Sequence, residues 1–258
     1  MFNLLESDLL YTISQYFLPL VRLASFFMAA PIFSTRIVST RIRLVLTVAV
    51  TILIVPILPA VPVVSGVSLS MFIVVAQQIL IGVALGFTFQ VVFQVFVLAG
   101  QYIAMKLGLG FASMNDPSSG VSVTIVSQFY LLTTTLLFLT FNGHLILIQV
   151  LVDSFTAIPI GSTGISVSNI YRLVELGGWM FGSALVISLP VLTALLVVNV
   201  AFGVMSRSAP QMNIFAVGFP ITLIFGLMIM WVGFTAFLSS FELFIDEGIA
   251  FALTLLSS

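Results

Sequence analysis

KLGLGFASMNDPSSGVS, residues 106–122, is a turn-rich stretch set between two of the longest apolar runs in the chain. Its glycines and serines allow a compact backbone, and Asp116-Pro117 is turn chemistry, because Asp accepts local hydrogen bonds and Pro presets its own φ. It carries one ring, Phe111, and one methionine, Met114. Residues 70–105 before it and 123–152 after it contain neither proline nor a charged residue. If each run is one helix, the arms are about 50 Å and about 45 Å long at 1.5 Å per residue. A bilayer core needs only about 30 Å. The pattern is that of an all-α, polytopic protein with long apolar helices and helical hairpins. The loop stands at the tip of two arms and reads as a functional tip, an ordinary surface turn being the other reading.

The rest of the composition agrees with that class. Of 258 residues, 61% are apolar and only 6% charged, against roughly 25% charged in soluble domains. Such a chain lies in a membrane or is enclosed by partners. A net charge of −1 leaves no basic footprint for nucleic acid. Without cysteine there is no disulfide framework and no thiolate chemistry. The first seventeen residues, MFNLLESDLLYTISQYF, carry two acids and no base, so no cleaved leader is expected.

Hydropathy marks about six apolar segments, at 9–33, 44–64, 70–105, 123–152, 179–204 and 213–238. The connections at 34–43, 106–122 and 205–212 hold Arg36, Arg41, Arg43, Lys106 and Arg207, five of the seven basic residues. The remaining connections and termini, with 153–178 read as a loop, hold most of the acids. The positive-inside rule then puts the basic loops in the cytoplasm and both termini outside. A return helix over 237–256 would reverse the C-terminus. Pro19, Pro190 and Pro220 fall inside segments and are expected to kink or break them. Arg22, at membrane depth, is expected to snorkel or to pair with a carboxylate on a neighbouring helix.

Along the third segment, Gln78, Gly82, Gly86, Gln90 and Gln94 recur at steps of four. The GxxxG pair lets another backbone approach, and the glutamines can hydrogen-bond across to it. Packing within the chain is preferred here over a pore lining. Gly178 and Gly182 form a second such pair.

Catalytic patterns are missing. His144 is the only histidine, and in FNGHL it is expected to hydrogen-bond a backbone carbonyl at a segment end. Gly108-Leu109-Gly110 lacks both the third glycine and the preceding strand of a dinucleotide site. Asp116 and Asp153 sit in different loops without an acid–base partner. No enzyme, cofactor or metal is expected. The spans also lack the ionisable couplers and inverted repeats of carriers, which favours a channel component over a small-solute transporter.

Four stretches, FSTRIVSTRIRLVL (33–46), GLGFASMNDPSSG (108–120), LTFNGHLILIQVLVDSFTAIPIG (139–161) and RSAPQMNIFAVGFPI (207–221), together resemble the FliR family of the flagellar type III export gate, related to SctT of virulence systems. Ser39 departs from the proline common there. The resemblance implies a single FliR-type domain over 1–258. Its helices to about 180 would be FliP-like, including a plug loop at 106–122, and about 181–258 would be a FliQ-like hairpin and tail. It implies one copy assembled with FliP and FliQ, and contacts with FlhB and FlhA, in the bacterial inner membrane at the flagellar basal body. Part of that assembly would be raised toward the periplasm. Unfolded flagellar export substrates and membrane lipid would be the other partners. The implied plug residues are Gly108, Gly110, Phe111, Met114, Asn115, Asp116 and Pro117. The implied cytoplasmic entrance loop is Arg207, Pro210, Gln211 and Asn213. The competing readings are a stand-alone polytopic small-solute transporter and a purely architectural assembly subunit.

Overall fold

The computed structural model describes residues 2–35, 38–59, 69–109, 124–161, 164–208 and 214–256. Among them there is no strand. The helices are α1 (Phe2–Ala29), α2 (Thr40–Ile54), α3 (Leu69–Lys106), α4 (Ile125–Thr140), α5 (Gly143–Ala157), α6 (Val167–Ser208), α7 (Ile214–Val232) and α8 (Phe234–Leu256). Chains this apolar become helical because, without water, each backbone N–H and C=O must find its partner within the segment. Among the described residues, three helices are long and apolar enough to cross a membrane, or up to five spans if each bent helix pair counts as one. The protein is polytopic and all-α.

Three sequence expectations are corrected. Residues 123–152 are not one arm: α4 and α5 meet at a 71° bend. Asn142 there is left-handed, with φ 56°, a conformation asparagine tolerates better than most residues. Gly143 follows with no room for a side chain, since a Cβ would lie 2.5 Å from the Phe138 ring. Residues 153–178 are not a loop either, because α5 runs to Ala157 and α6 starts at Val167. The charges of Arg172 and Glu175 lower the hydropathy there without opposing a helix. Pro19, Pro190 and Pro220 do not break their segments, since α1, α6 and α7 run through them, as neighbours and hydroxyls in apolar helices can satisfy the freed groups. The break falls instead at Gly233, where α7 and α8 part at 57°. α8 supplies the return helix, from Phe234 to Leu256.

Contacts gather the chain into two units, 1–91 with 138–177 and 247–258, and 92–137 with 178–246. In the first, Leu23, Phe26 and Phe27 of α1, Ile81, Leu85 and Phe89 of α3, and Leu147, Leu151 and Phe155 of α5 are buried. Ser39, the departure from proline noted above, caps α2 by accepting from the Ile42 N–H. Arg43 donates to the carbonyls of Phe33, Thr35 and Val38, closing the turn before α2. The second unit has an aromatic core. Phe96 of α3 lies 5.4 Å from Phe237 and 6.0 Å from Phe241 of α8, while Tyr130 of α4 is edge-on to Phe237 at 5.0 Å. Trp179 of α6 meets Phe244 at 5.8 Å. Edge-to-face pairs of this kind add about 0.5–1.5 kcal/mol each beyond area burial.

Candidate functional site

The loop that organised the sequence is anchored at both feet, within the second unit. At the first foot the Leu109 N–H donates to Ala104 O at 3.0 Å and the Gly108 N–H to Met105 O at 3.1 Å. With Gly108 at φ +79°, this is a Schellman end to α3: a left-handed glycine satisfies carbonyls that the helix leaves open. At the second foot, Thr124 Oγ1 accepts from the Ser127 N–H at 3.3 Å and shares a 2.9 Å hydrogen bond with Ser127 Oγ, capping α4. The feet are held side by side. A Cβ on Gly100 of α3 would lie 2.7 Å from Ser127 Cα and 3.0 Å from Val126 O.

Of the plug residues, only Gly108 falls among the described residues, and it is the stop of α3. Gly110, Phe111, Met114, Asn115, Asp116 and Pro117 lie outside them. Of the entrance loop, Arg207 is exposed in the last turn of α6, while Pro210, Gln211 and Asn213 lie outside. Gly100, Thr124 and Ser127 were missed. A threonine ahead of an apolar run is a helix-start signal, but here Thr124 is hidden inside a longer apolar run.

The ridge of α3 divides. Gly82 and Gly86 are buried against α1 in the first unit. A Cβ on Gly82 would lie 3.0 Å from Phe26 N and closer still to Arg22 O and Ser25 Oγ. On Gly86 it would lie 2.9 Å from both Ala30 N and Phe26 O. The two helices therefore run parallel, backbone against backbone. Gln78 is buried and accepts from Arg22. Gln90 has a buried Oε1 with no partner among the described residues, and Gln94 is exposed. Beside Gly178 and Gly182 of α6, no described atom would come within 4 Å of an added Cβ.

Arg22 neither snorkels nor meets a carboxylate among the described residues. It is fully buried. Nε donates to Gln78 Oε1 at 2.8 Å, Nη1 to Ser154 O at 2.8 Å and Ser154 Oγ at 3.2 Å, and Nη2 to Ile158 O at 2.9 Å. The guanidinium also sits 4.2 Å over the Phe155 ring. Ser154 and Ile158 form the C-terminal end of α5, where open carbonyls and the negative end of the helix dipole meet a cation well. Sequence could not show this, because two of the four acceptors are backbone carbonyls and all of them lie far away in the chain. A similar arrangement closes α8: Asn169 Nδ2 donates to Leu255 O at 2.9 Å and Arg172 Nη1 to Thr254 O at 3.3 Å. His144 also departs from expectation, its Nδ1 being buried without a partner among the described residues. It stands in the first turn of α5, where the open backbone groups are N–H donors rather than carbonyls.

The pattern of the family described as bacterial export proteins, family 1, matches residues 13–248. The chain is 40% identical over 223 residues to the flagellar biosynthetic protein FliR of Pectobacterium carotovorum subsp. carotovorum, covering 86% of this chain and 84% of that one. It is 42% identical over 220 residues to FliR of Escherichia coli (strain K12), covering 84% and 83%. The surface presentation of antigens protein SpaR of Shigella sonnei is 28% identical over 185 residues, 71% of each chain.

Proposed function

The chain belongs to family 1 of the bacterial export proteins, and from that membership and its helices we propose that it is a core subunit of the flagellar type III export gate. Together with FliP and FliQ it forms a closed channel in the inner membrane for unfolded export substrates. FlhB and FlhA are its further neighbours, and part of the assembly is raised toward the periplasm. The observation that carries this reading is α6. It is a 42-residue apolar helix with only 17% of its most apolar stretch buried, which suits a wall element covered by other chains. Residues 1–180 act as the FliP-like part and 181–258 as the FliQ-like hairpin and tail.

Loop 108–120 acts as the plug. The Schellman end at Gly108 and the cap at Thr124 support this role, because both feet are fixed to helix ends. Phe111 and Met114 fill the lumen, methionine being adaptable in irregular contacts. An arriving substrate displaces the loop, and passage requires no covalent chemistry in this subunit.

Native mass spectrometry of a tagged, detergent-extracted copy tests the assembly: one copy with several FliP and FliQ chains is expected. A stable monomer or homo-oligomer with co-expressed FliP and FliQ absent would favour the stand-alone transporter. Deleting 110–116 is expected to raise ion leakage while assembly persists. Unchanged leakage would leave an architectural subunit with a passive loop.

A further inference from the structure

α2 is polar where it is covered and aliphatic where it is open. Its buried residues are Thr47, Thr51 and Ile54, and the helix packs on α1. Both hydroxyls are spent on carbonyls of α2 itself, Thr47 on Arg43 O and Thr51 on Thr47 O, at 2.7 Å each. On the opposite side, Ile42, Val45, Ala49, Ile52 and Leu53 fall in line at helical spacing, and all are exposed. No glycine, hydroxyl or amide stands among them. Helix contacts within a membrane favour small and polar residues, so this side suits hydrocarbon better than a further helix. Leaving it in water would cost about 25 cal/mol for each Å² of apolar surface.

Length and charge agree with that. The 15 residues of α2 and the 3₁₀ turn Val55–Ile57 measure roughly 28 Å together, close to the about 30 Å of a bilayer core. α3 and α6, at roughly 57 and 63 Å, do not match it. At the N-terminal end of α2, the Arg43 guanidinium is taken up by carbonyls. Arg41 is exposed and has no partner among the described residues. It stands four residues before Val45 and eleven before Ile52, hence on their side of the helix. From Arg41 to Leu53 is roughly 18 Å, about the depth of one leaflet. We propose that this side of α2 is a phospholipid contact. An anionic lipid of the cytoplasmic leaflet sets its phosphate against Arg41 and its acyl chains along Val45, Ala49 and Ile52. A guanidinium fits a phosphate, and the basic connection at 34–43 puts this end of α2 on the cytoplasmic side. The inference rests on the membrane placement proposed above and not on the plug.

The chain has no cysteine, so a fluorescent label can be placed at Val45→Cys or Ile52→Cys, both exposed positions, in the complex reconstituted into bilayers. The probes are phosphatidylglycerol and phosphatidylcholine with brominated acyl chains, which quench a label they touch. Quenching is expected at both positions, with phosphatidylglycerol preferred about fivefold at Val45, the factor that one basic residue near the surface contributes. Arg41→Gln is expected to abolish the preference while quenching itself persists, and Arg41→Lys to keep most of it. Labels that neither lipid quenches overturn the contact, because protein or water then covers this side. Equal quenching by the two lipids, or a preference that survives Arg41→Gln, overturns the phosphate contact. If Arg41→Gln does not accumulate, the comparison of the two lipids with Arg41 intact decides. The labels read the surroundings of α2 whether or not FliP and FliQ are recovered with the chain, so failure of the gate reading and failure of this one are told apart.

Discussion

α3 and α6 are alike in sequence and opposite in surroundings. Both are long, apolar and glycine-bearing, at 38 and 42 residues. The most apolar stretch of α3 is 67% buried, that of α6 only 17%. The glycines follow the same division. Gly82 and Gly86 receive the backbone of α1, and Gly100 that of Ser127, whereas Gly177, Gly178, Gly182 and Gly203 have no described atom within 4 Å of a would-be Cβ. A small-residue stripe thus marks where a neighbour fits, without saying whether that neighbour belongs to the same chain. In α3 it does. In α6, Val186, Val197 and Val204 share one side of the helix and Phe181 lies on another, and all four are exposed among the described residues.

The comparison is broken most directly by placing the same methyl group on each helix. Gly82→Ala forces the added carbon onto backbone atoms of α1, and overpacking of this kind costs about 1–3 kcal/mol. Thermal unfolding in detergent should show that loss. A stability at or above that of the unsubstituted chain would mean that the close approach is not required. Gly178→Ala should have the opposite sign, a gain of about 0.5–1 kcal/mol from helix propensity in the isolated chain.

A larger group sharpens the contrast further. Gly178→Leu should leave the isolated chain folded while lowering the amount of FliP and FliQ recovered with it. Undiminished recovery would assign that face of α6 to lipid. The smallest effect is expected at the end of α8, where Asn169→Ala removes one buried hydrogen bond. Such bonds in membrane proteins average about 0.6 kcal/mol, so a slight fall in unfolding temperature with assembly retained is expected.

Much of the architecture was legible in the residues because it follows from short-range rules. An apolar run without charges becomes a helix, and α3 appears almost where hydropathy put it. The glycine steps of α3 were readable as a close-packing surface. The break at Asn142 was not, since it depends on one left-handed residue and on the Phe138 ring lying against Gly143. The start of α6 was misjudged because hydropathy registers the charge of Arg172 and Glu175 but not the contacts of Asn169 and Arg172 with the end of α8. The plug and entrance residues fared unevenly: Gly108 gained a defined role as a helix stop, while most of the others lie outside the described residues.

By itself the sequence determined the membrane class, the all-α composition, the position of the central loop and the absence of familiar catalytic patterns. These depend on composition and on periodicity along one chain. Tertiary structure alone decided that Arg22 is met by the end of α5, that Gly100 ties the two feet of the loop together, and that Gly82 is covered while Gly178 is open. Those facts depend on atoms far apart in sequence, and backbone carbonyls, which carry no residue identity, do much of the holding.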